Sequence, residues 1–216
     1  MKIVIGIMTE KLSDAAGWLT SYWNNVESME HEIFLVIIDS NSSDKKRDET
    51  ACRRLHADFL YATHANWRSL FHNYATLKQA DLCVFFPSNC RIFTPGFFTR
   101  VVNFFQKNRD VGTLGFKAIN GRGFNDGDGG WVENPKIIEE PVGPFAIEME
   151  TLNQLDYIDG NDWGVQVATV GRYSYSLPWP PVFNENPLSL PSVASKGPDR
   201  LVFWINKAGI ECSVRI

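Results

Sequence analysis

Residues 33–44 read IFLVIIDSNSSD, an apolar run that ends in a polar turn. The run at 33–38 is short and uniformly apolar, which is typical of a strand covered on both faces of a sheet. The turn carries hydroxyls, the amide of Asn41 and the carboxylates of Asp39 and Asp44. Such side chains can hydrogen-bond a ligand, or they can form an Asx turn and cap the next helix. Both interpretations stay open at this point.

Strands and helices alternate through the first half of the chain. Three further apolar runs of the strand type lie at residues 3–7, 82–86 and 111–116. Helices are predicted from Ser13 or Asp14, over 44–55, over 67–79, and from Thr94 with Pro95 at its first turn. This alternation predicts a single-domain α/β fold with a mainly parallel, Rossmann-like open sheet flanked by helices. Ligands of such sheets bind beyond the carboxyl ends of the strands.

The second half has a different character. Glycine and aspartate dominate residues 121–130, so we expect a mobile loop there. The later predicted segments are apolar runs at 136–138 and 145–149, a helix from Asn161 to a glycine cap at Gly171, an extended proline-rich segment at 178–198 and a last helix at 199–208. We expect one domain over residues 1–216, with two halves at 1–118 and 119–216.

The composition narrows the classes of partner. The net charge is −4, with 44% hydrophobic and 21% charged residues, as in an ordinary globular protein. Nucleic acid is not expected as a partner, because phosphate binding needs a basic patch. The four cysteines show no metal-ligand spacing, and Cys52 and Cys83 lie in apolar patterns. No apolar run approaches a membrane span, so we expect a cytoplasmic protein.

Two further polar clusters lie at predicted element ends. Ser88, Asn89, Cys90 and Arg91 follow the third apolar run directly. Asp162 stands at the start of the later helix, where the positive end of the helix dipole favours an ionised carboxylate. A plain turn and an ordinary helix-start acid are the alternatives for these two clusters.

The order of these motifs resembles that of the GT-A glycosyltransferases, in particular the inverting enzymes of the large family 2. Their strands and helices carry a Thr-containing turn, a D-x-x-S-x-D turn, an Asn- and Ala-rich helix, a T-P-G-F helix start, a G-x-aromatic strand, an acid on a helix and a G-aromatic strand. The matching residues extend over about residues 1–180 and are Thr9 and Glu10; Asp39, Ser42 and Asp44; Asn73 and Ala75; residues 94–97; Gly143 to Phe145; Asn161 and Asp162; and Gly171 to Tyr173.

The resemblance implies a hexosyl transfer from a nucleoside-diphosphate sugar, with uridine as the expected nucleoside, to a hydroxyl of a glycan or glycoconjugate. Asp162 would be the general base of an inverting reaction. Residues 1–118 would form the nucleotide-binding half and residues 119–216 the acceptor-binding half. Trp131 and Trp163 would contact the acceptor. The donor would bind to Thr9, Glu10, Asp39, Asn41, Asp44, Arg68, Ser88, Asn89 and Arg91.

The metal motif departs from the family pattern. The usual D-x-D falls on Ser88, Asn89 and Cys90, and no histidine follows His72. Mn²⁺ and Mg²⁺ prefer carboxylate oxygens, so we expect a metal that is weakly held or absent. Arg91, with Arg68 as a second candidate, would then supply positive charge to the leaving diphosphate.

Two other functions stay open. The missing D-x-D is compatible with a catalytically inactive module that binds a nucleotide sugar or glycan. A sugar-1-phosphate nucleotidyltransferase would need a glycine-rich basic loop after the first strand, and residues 8–12 lack one. The compact length and altered metal motif also resemble the glycosyltransferases of chlorella viruses, which would act on capsid protein in the host cytoplasm.

Overall fold

The structure is a computed structural model of the chain. The residues that it describes are 1–10, 12–25, 31–39, 41, 44–63, 66–88, 90–92, 96–120, 123–124, 136–138, 144–156, 163–184, 201–205 and 211–215.

Strands and helices alternate in the first half, as predicted. Its elements are β1 (Lys2–Thr9), α1 (Leu12–Asn25), β2 (Glu32–Asp39), α2 (Lys45–Arg54), β3 (Asp58–Tyr61), α3 (Trp67–Leu77), β4 (Leu82–Pro87), β5 (Cys90–Ile92) and α4 (Phe97–Lys107). The later elements are β6 (Val111–Asn120), β7 (Gly123–Phe124), β8 (Lys136–Ile138), β9 (Phe145–Glu148), α5 (Met149–Leu152), α6 (Trp163–Thr169), β10 (Tyr173–Asn184), β11 (Leu201–Ile205) and β12 (Glu211–Arg215).

Ten of these strands form one sheet in the order β3-β2-β1-β4-β9-β6-β10-β5, with β7 beside β6 and β8 beside β10. The pairs β2–β3, β1–β2, β1–β4 and β6–β10 are parallel and contain most of the paired residues. The antiparallel strand β9 joins β4 to β6. The α/β prediction is therefore confirmed, and the carboxyl ends of β1, β2 and β4 meet at one edge.

Helices cover both faces of this sheet. The side chains of Ile3, Ile5 and Ile7 enter a core cluster with α1 and α4, whereas Val4 enters a second cluster with α3 and α6. Successive side chains of a strand point to opposite faces, so a strand covered on both sides is apolar along its length. At Gly6 an added Cβ would lie 2.6 Å from the Phe71 ring, so glycine permits α3 to approach the sheet closely.

Several predicted boundaries differ from the structure. Ser13 and Asp14 lie inside α1, which begins one residue before Ser13. Gly96 is the residue before α4 and has a φ of 68°, a backbone conformation that glycine adopts without steric cost. Thr94 and Pro95, the predicted cap and first turn, lie outside the described residues. Strand β3 and the short helix α5 were not predicted.

The predicted glycine cap at Gly171 is confirmed. Its φ is 74°, its N–H donates to the Ala168 carbonyl at 3.0 Å, and the Arg172 N–H donates to the Val167 carbonyl at 3.1 Å. These two bonds form a Schellman motif, which ends α6 at a defined residue.

The last predicted helix, residues 199–208, is wrong. Strands β11 and β12 form an antiparallel pair there, with Leu201 opposite Arg215. The segment LVFWI is rich in β-branched and aromatic residues, which favour strands over helices. Part of the predicted 121–130 loop is strand as well, since β7 pairs with the end of β6. The proposed boundary at residue 118 falls within β6.

No helix within the described ranges is long and apolar enough to cross a bilayer.

Candidate functional site

A cleft opens at the carboxyl ends of β1 and β2, between α1 and α2. Its volume is about 530 Å³. Its polar lining comes from Glu10, Ser13, Asp39, Asn41, Arg47 and Asp48, and its apolar lining from Leu12, Ala16, Ala51 and Leu55. The fold thus places two of the predicted donor-binding carboxylates in one cleft, at the edge where open α/β sheets bind ligands.

Asp39 is the most constrained of these residues. Its side chain is 2% exposed, and its Oδ1 accepts the Asn41 N–H at 2.7 Å. This is an Asx-type turn, so the turn interpretation of the sequence holds for Asp39. The parallel register sets Thr9 of β1 beside Asp39, and Thr9 is buried as well. A carboxylate fixed in this way has little freedom to move.

Asp44 has the other role that the sequence allowed. It precedes α2, and its Oδ1 accepts the Arg47 N–H at 3.1 Å, which makes it the N-cap of the helix. It lines an adjacent groove of about 430 Å³ with Lys46, Arg47 and Thr50. Ser42 lies outside the described residues.

The turn after β4 reaches the same edge. The Ser88 N–H donates to the Met8 carbonyl at 2.8 Å, which joins this turn to the end of β1. Ser88 is buried, and Cys90 is 1% exposed within the core cluster that contains α1. Asn89 lies outside the described residues, and Arg91 is described only as a residue of β5.

The described residues at the D-x-D position do not fit a divalent cation. Ser88 offers one hydroxyl oxygen, and the Cys90 thiol faces the core. Hard cations prefer several oxygen ligands, carboxylates above all. Within the described ranges no group of three or more His, Cys, Asp or Glu side chains is arranged to hold a metal ion.

Arg68 and Trp163 meet between α3 and α6. The Arg68 guanidinium lies 4.8 Å from the centre of the Trp67 ring and 5.6 Å from that of Trp163. Trp163 is 3% exposed, and its ring also contacts Phe85 and Phe145. The structure thus shows a packing role for this indole, and its acceptor contact stays a prediction. The other predicted acceptor residue, Trp131, lies outside the described residues.

The start of α6 is thus fixed by aromatic contacts, and its end by an ion pair. Arg172 Nη1 lies 3.2 Å from Glu148 Oε2, and it also donates to the Val111 carbonyl at 3.3 Å. Burial raises the pKa of Glu148, and the neighbouring Arg172 opposes that rise. Asp162, the predicted base, immediately precedes α6 and lies outside the described residues.

Arg47 and Ser13 line the cleft but were not among the predicted donor-binding residues. A signal for Arg47 existed in the sequence, because it lies in the first helical turn after the D-x-x-S-x-D motif. Ser13 carried no such signal, since its place depends on how α1 packs beside β2.

Three solved glycosyltransferase structures share this fold. For S. aureus TarS 1-349 the TM-score is 0.60 and the sequence identity is 11%. The match covers 86% of this chain and 60% of that one. For GalNAc-T7 with UDP, GalNAc and Mn²⁺ the TM-score is 0.66 and the sequence identity is 16%. The match covers 86% of this chain and 44% of that one. The third is the mannosyltransferase PcManGT from Pyrobaculum calidifontis, in complex with GDP-Man and Mn²⁺. Its TM-score is 0.62 at 13% sequence identity, and the match covers 87% of this chain and 57% of that one.

The chain therefore has the GT-A glycosyltransferase fold. It spans less than two thirds of each of these neighbours. No protein-family model and no curated protein matches the sequence.

Proposed function

We propose that this protein is a glycosyltransferase that takes its sugar from a nucleoside diphosphate. The observation that carries the proposal is the polar cleft at the ends of β1 and β2 in a GT-A fold, with the carboxylate of Asp39 buried in it. Uridine is the proposed nucleoside, and a hydroxyl of a glycan or glycoconjugate is the proposed acceptor.

The lining of the cleft suits a nucleoside. The hydroxyls of ribose and the N–H of uracil are hydrogen-bond donors, and the carboxylates of Glu10 and Asp39 accept such bonds. Asp39 is held by its own turn before any ligand arrives. A prepositioned acceptor loses little conformational freedom on binding, which favours affinity.

Asp162 is the proposed general base. It would accept the proton of the acceptor hydroxyl while that oxygen forms a bond to the anomeric carbon. The bond from the anomeric carbon to the diphosphate breaks in the same step, which inverts the configuration and releases the nucleoside diphosphate. A positioned base of this kind contributes about 10²–10⁴ to the rate.

The leaving diphosphate needs positive charge. The described residues at the D-x-D position do not provide a carboxylate set, so we propose that arginine side chains supply the charge. Arg68 is the described candidate, because it lies against Trp163, the residue that follows the proposed base. Arg91 follows the buried Cys90 and is the second candidate.

The test uses purified chain with UDP-sugars and GDP-sugars, and measures release of the nucleoside diphosphate. We expect turnover with at least one UDP-sugar, and loss of about 10²-fold or more in Asp162→Asn. Asp159→Asn is the matched control, because it removes the same charge three residues away. Equal turnover in parent and Asp162→Asn would reject Asp162 as the base.

Binding is measured separately, by thermal unfolding with UDP, GDP and their sugars, each with Mn²⁺ or with a chelator. A ligand present at 100 times its dissociation constant stabilises the fold by about 2.7 kcal/mol. We expect a UDP response that the chelator leaves largely intact. No response to any nucleotide would reject the proposed function as a whole.

A binding module without activity is the second candidate. The burial of Cys90 at the D-x-D position favours it, because the third residue of that motif faces the core. Nucleotide-sugar binding without release of diphosphate, under every metal condition, would support this alternative.

A further inference from the structure

The outer face of α2 is strongly cationic, although the whole chain has a net charge of −4. Its sequence, KKRDETACRR, contains five basic and two acidic residues. The single buried side chain of this helix is Cys52, so α2 rests on the sheet along one narrow side.

The basic side chains are concentrated on the side that faces solvent. At about 100° per residue, Lys46, Arg47, Arg53 and Arg54 lie with Thr50 within about 120° of the helix circumference. All five of these side chains are exposed. The acidic residues of the helix, Asp48 and Glu49, are half-buried and lie on either side of Cys52, each within about 60° of it around the helix axis. We call this set of five residues the cationic face.

Four residues of the cationic face line the groove of about 430 Å³, namely Lys46, Arg47, Thr50 and Arg54. Two acidic residues moderate the charge, since Asp44 also lines the groove and Glu49 Oε1 lies 2.6 Å from Arg53 Nη2. The remaining excess is positive, so an anion is the complementary partner.

Aromatic side chains flank both ends of the helix. Trp23 is 50% exposed, and its ring meets that of His56, directly after the C-terminal end of α2, at 6.4 Å. At the other end, the Lys45 ammonium lies 3.5 Å from the centre of the exposed Tyr61 ring. Exposed Trp and Tyr beside Lys and Arg are the combination that favours a lipid headgroup region, because each has an apolar body and a polar end.

We propose that the cationic face, with Trp23, docks this protein onto membranes that contain anionic phospholipids. Basic residues near such a surface are attracted by its negative potential, and the indole of Trp23 adds apolar contact at the interface. A nucleic acid is the less suitable partner, because the basic surface is one short helix on an acidic protein. The inference does not depend on the proposed sugar transfer.

The test is co-sedimentation of the full chain with phosphatidylcholine vesicles, with and without phosphatidylglycerol. We expect binding to the anionic vesicles alone, and loss of that binding at high salt. The triple variant K46Q/R53Q/R54Q should bind about one to two orders of magnitude more weakly. Its matched control is R100Q/K107Q/R109Q, which removes three exposed charges in and after α4 and should bind like the parent.

A second pair of variants tests the aromatic contribution. Trp23→Ser should weaken binding, while Leu77→Ser, which changes an 82% exposed apolar side chain of α3, should not. Thermal unfolding of each variant confirms that it folds. Equal loss in both triple variants would overturn the proposal, and so would binding to heparin or duplex DNA, through the same residues, without binding to vesicles.

Discussion

The turns after β2 and β4 stand at the same edge of the sheet and follow equally apolar strands, yet their side chains are used differently. The β2 turn holds a carboxylate, Asp39, at the lining of the cleft. The β4 turn carries Ser88, and two residues later the Cys90 side chain enters the core beneath α1. By the family resemblance, the first turn is the proposed nucleoside contact, and the second occupies the position of the D-x-D motif.

The two turns also differ in what holds their side chains. Asp39 is supported by a bond within its own turn, from the Asn41 N–H. Cys90 is supported by distant packing, because β5 lies against α1 and pairs with β10. Placing an acid at Cys90, in the second turn, would therefore disturb the core. Removing the acid Asp39 from the first turn would mainly lower the affinity for the ligand. Four variants test this contrast.

The largest expected effect is that of Cys90→Asp. A carboxylate placed at a position that is 1% exposed is removed from water, so we expect a loss of more than about 4 kcal/mol in the free energy of unfolding. Cys90→Ala, the matched control, should lose about 1 kcal/mol. Urea unfolding measures both. A stable Cys90→Asp variant that gains Mn²⁺-dependent UDP binding would contradict the claim that an acid at residue 90 disturbs the core.

Asp39→Ala comes next. It removes the carboxylate that accepts the Asn41 N–H, and losing this partly exposed hydrogen bond to a charged group costs about 1.5 kcal/mol of stability. Loss of one ligand hydrogen bond of about 1.4 kcal/mol would also weaken UDP binding about tenfold. Asp39→Asn keeps an acceptor oxygen and should retain most of the stability. Isothermal titration calorimetry and urea unfolding separate the two effects, and unchanged UDP affinity in Asp39→Ala would remove the residue from the donor site.

Asp44→Ala should have a smaller effect. The helix cap on the Arg47 N–H is lost, which costs about 1 kcal/mol of stability. Asp44→Asn can still cap the helix and is the control. Because Asp44 lines the adjacent groove, its UDP affinity should fall less than that of Asp39→Ala. If Asp44→Ala lost more UDP affinity than Asp39→Ala, then Asp44 and not Asp39 would be the main ligand contact.

The smallest expected effect is a pH dependence of the free energy of unfolding, which arises at strand β3 beside β2. Asp58 begins β3, which pairs with β2 up to Asp39. Partial burial raises the pKa of Asp58, but the Tyr74 hydroxyl and the Lys78 ammonium lower it, and the net shift is downward. A lowered pKa in the folded state stabilises the fold above the unfolded value of about 3.9, and this stabilisation is lost as the pH falls through the folded value.

Asp58→Asn should remove that part of the acid dependence. Urea unfolding of parent and variant between about pH 7 and pH 3 measures it, with Asp156→Asn, an exposed acid elsewhere, as the control. Identical pH profiles for the parent and Asp58→Asn would show that the stability of the fold does not depend on the Asp58 carboxylate.

Local features of the sequence predicted most of the first half of the fold. The apolar runs were confirmed as strands, and of the roles left open for Asp44 the structure shows the helix cap. In the second half, the glycine cap at Gly171 was confirmed as well, because a cap acts through neighbouring backbone groups. Strand β3 was not predicted, because its four residues alternate weakly and are defined by pairing with β2. The segment at 201–205 was assigned as a helix because its pairing with residues 211–215 is not visible in its periodicity.

The sequence alone determined the alternation of strands and helices in the first half, the polar turns at the strand ends and the lack of aspartate at residues 88–90, because these depend on residue type and short spacing. Only the tertiary structure decided that Asp39 lines a cleft with Arg47, that Cys90 and Trp163 face the core, and that the charges of α2 are collected on one exposed face. The physical reason is that burial depends on elements far apart in the chain, and no local pattern specifies which of them will cover a given side chain.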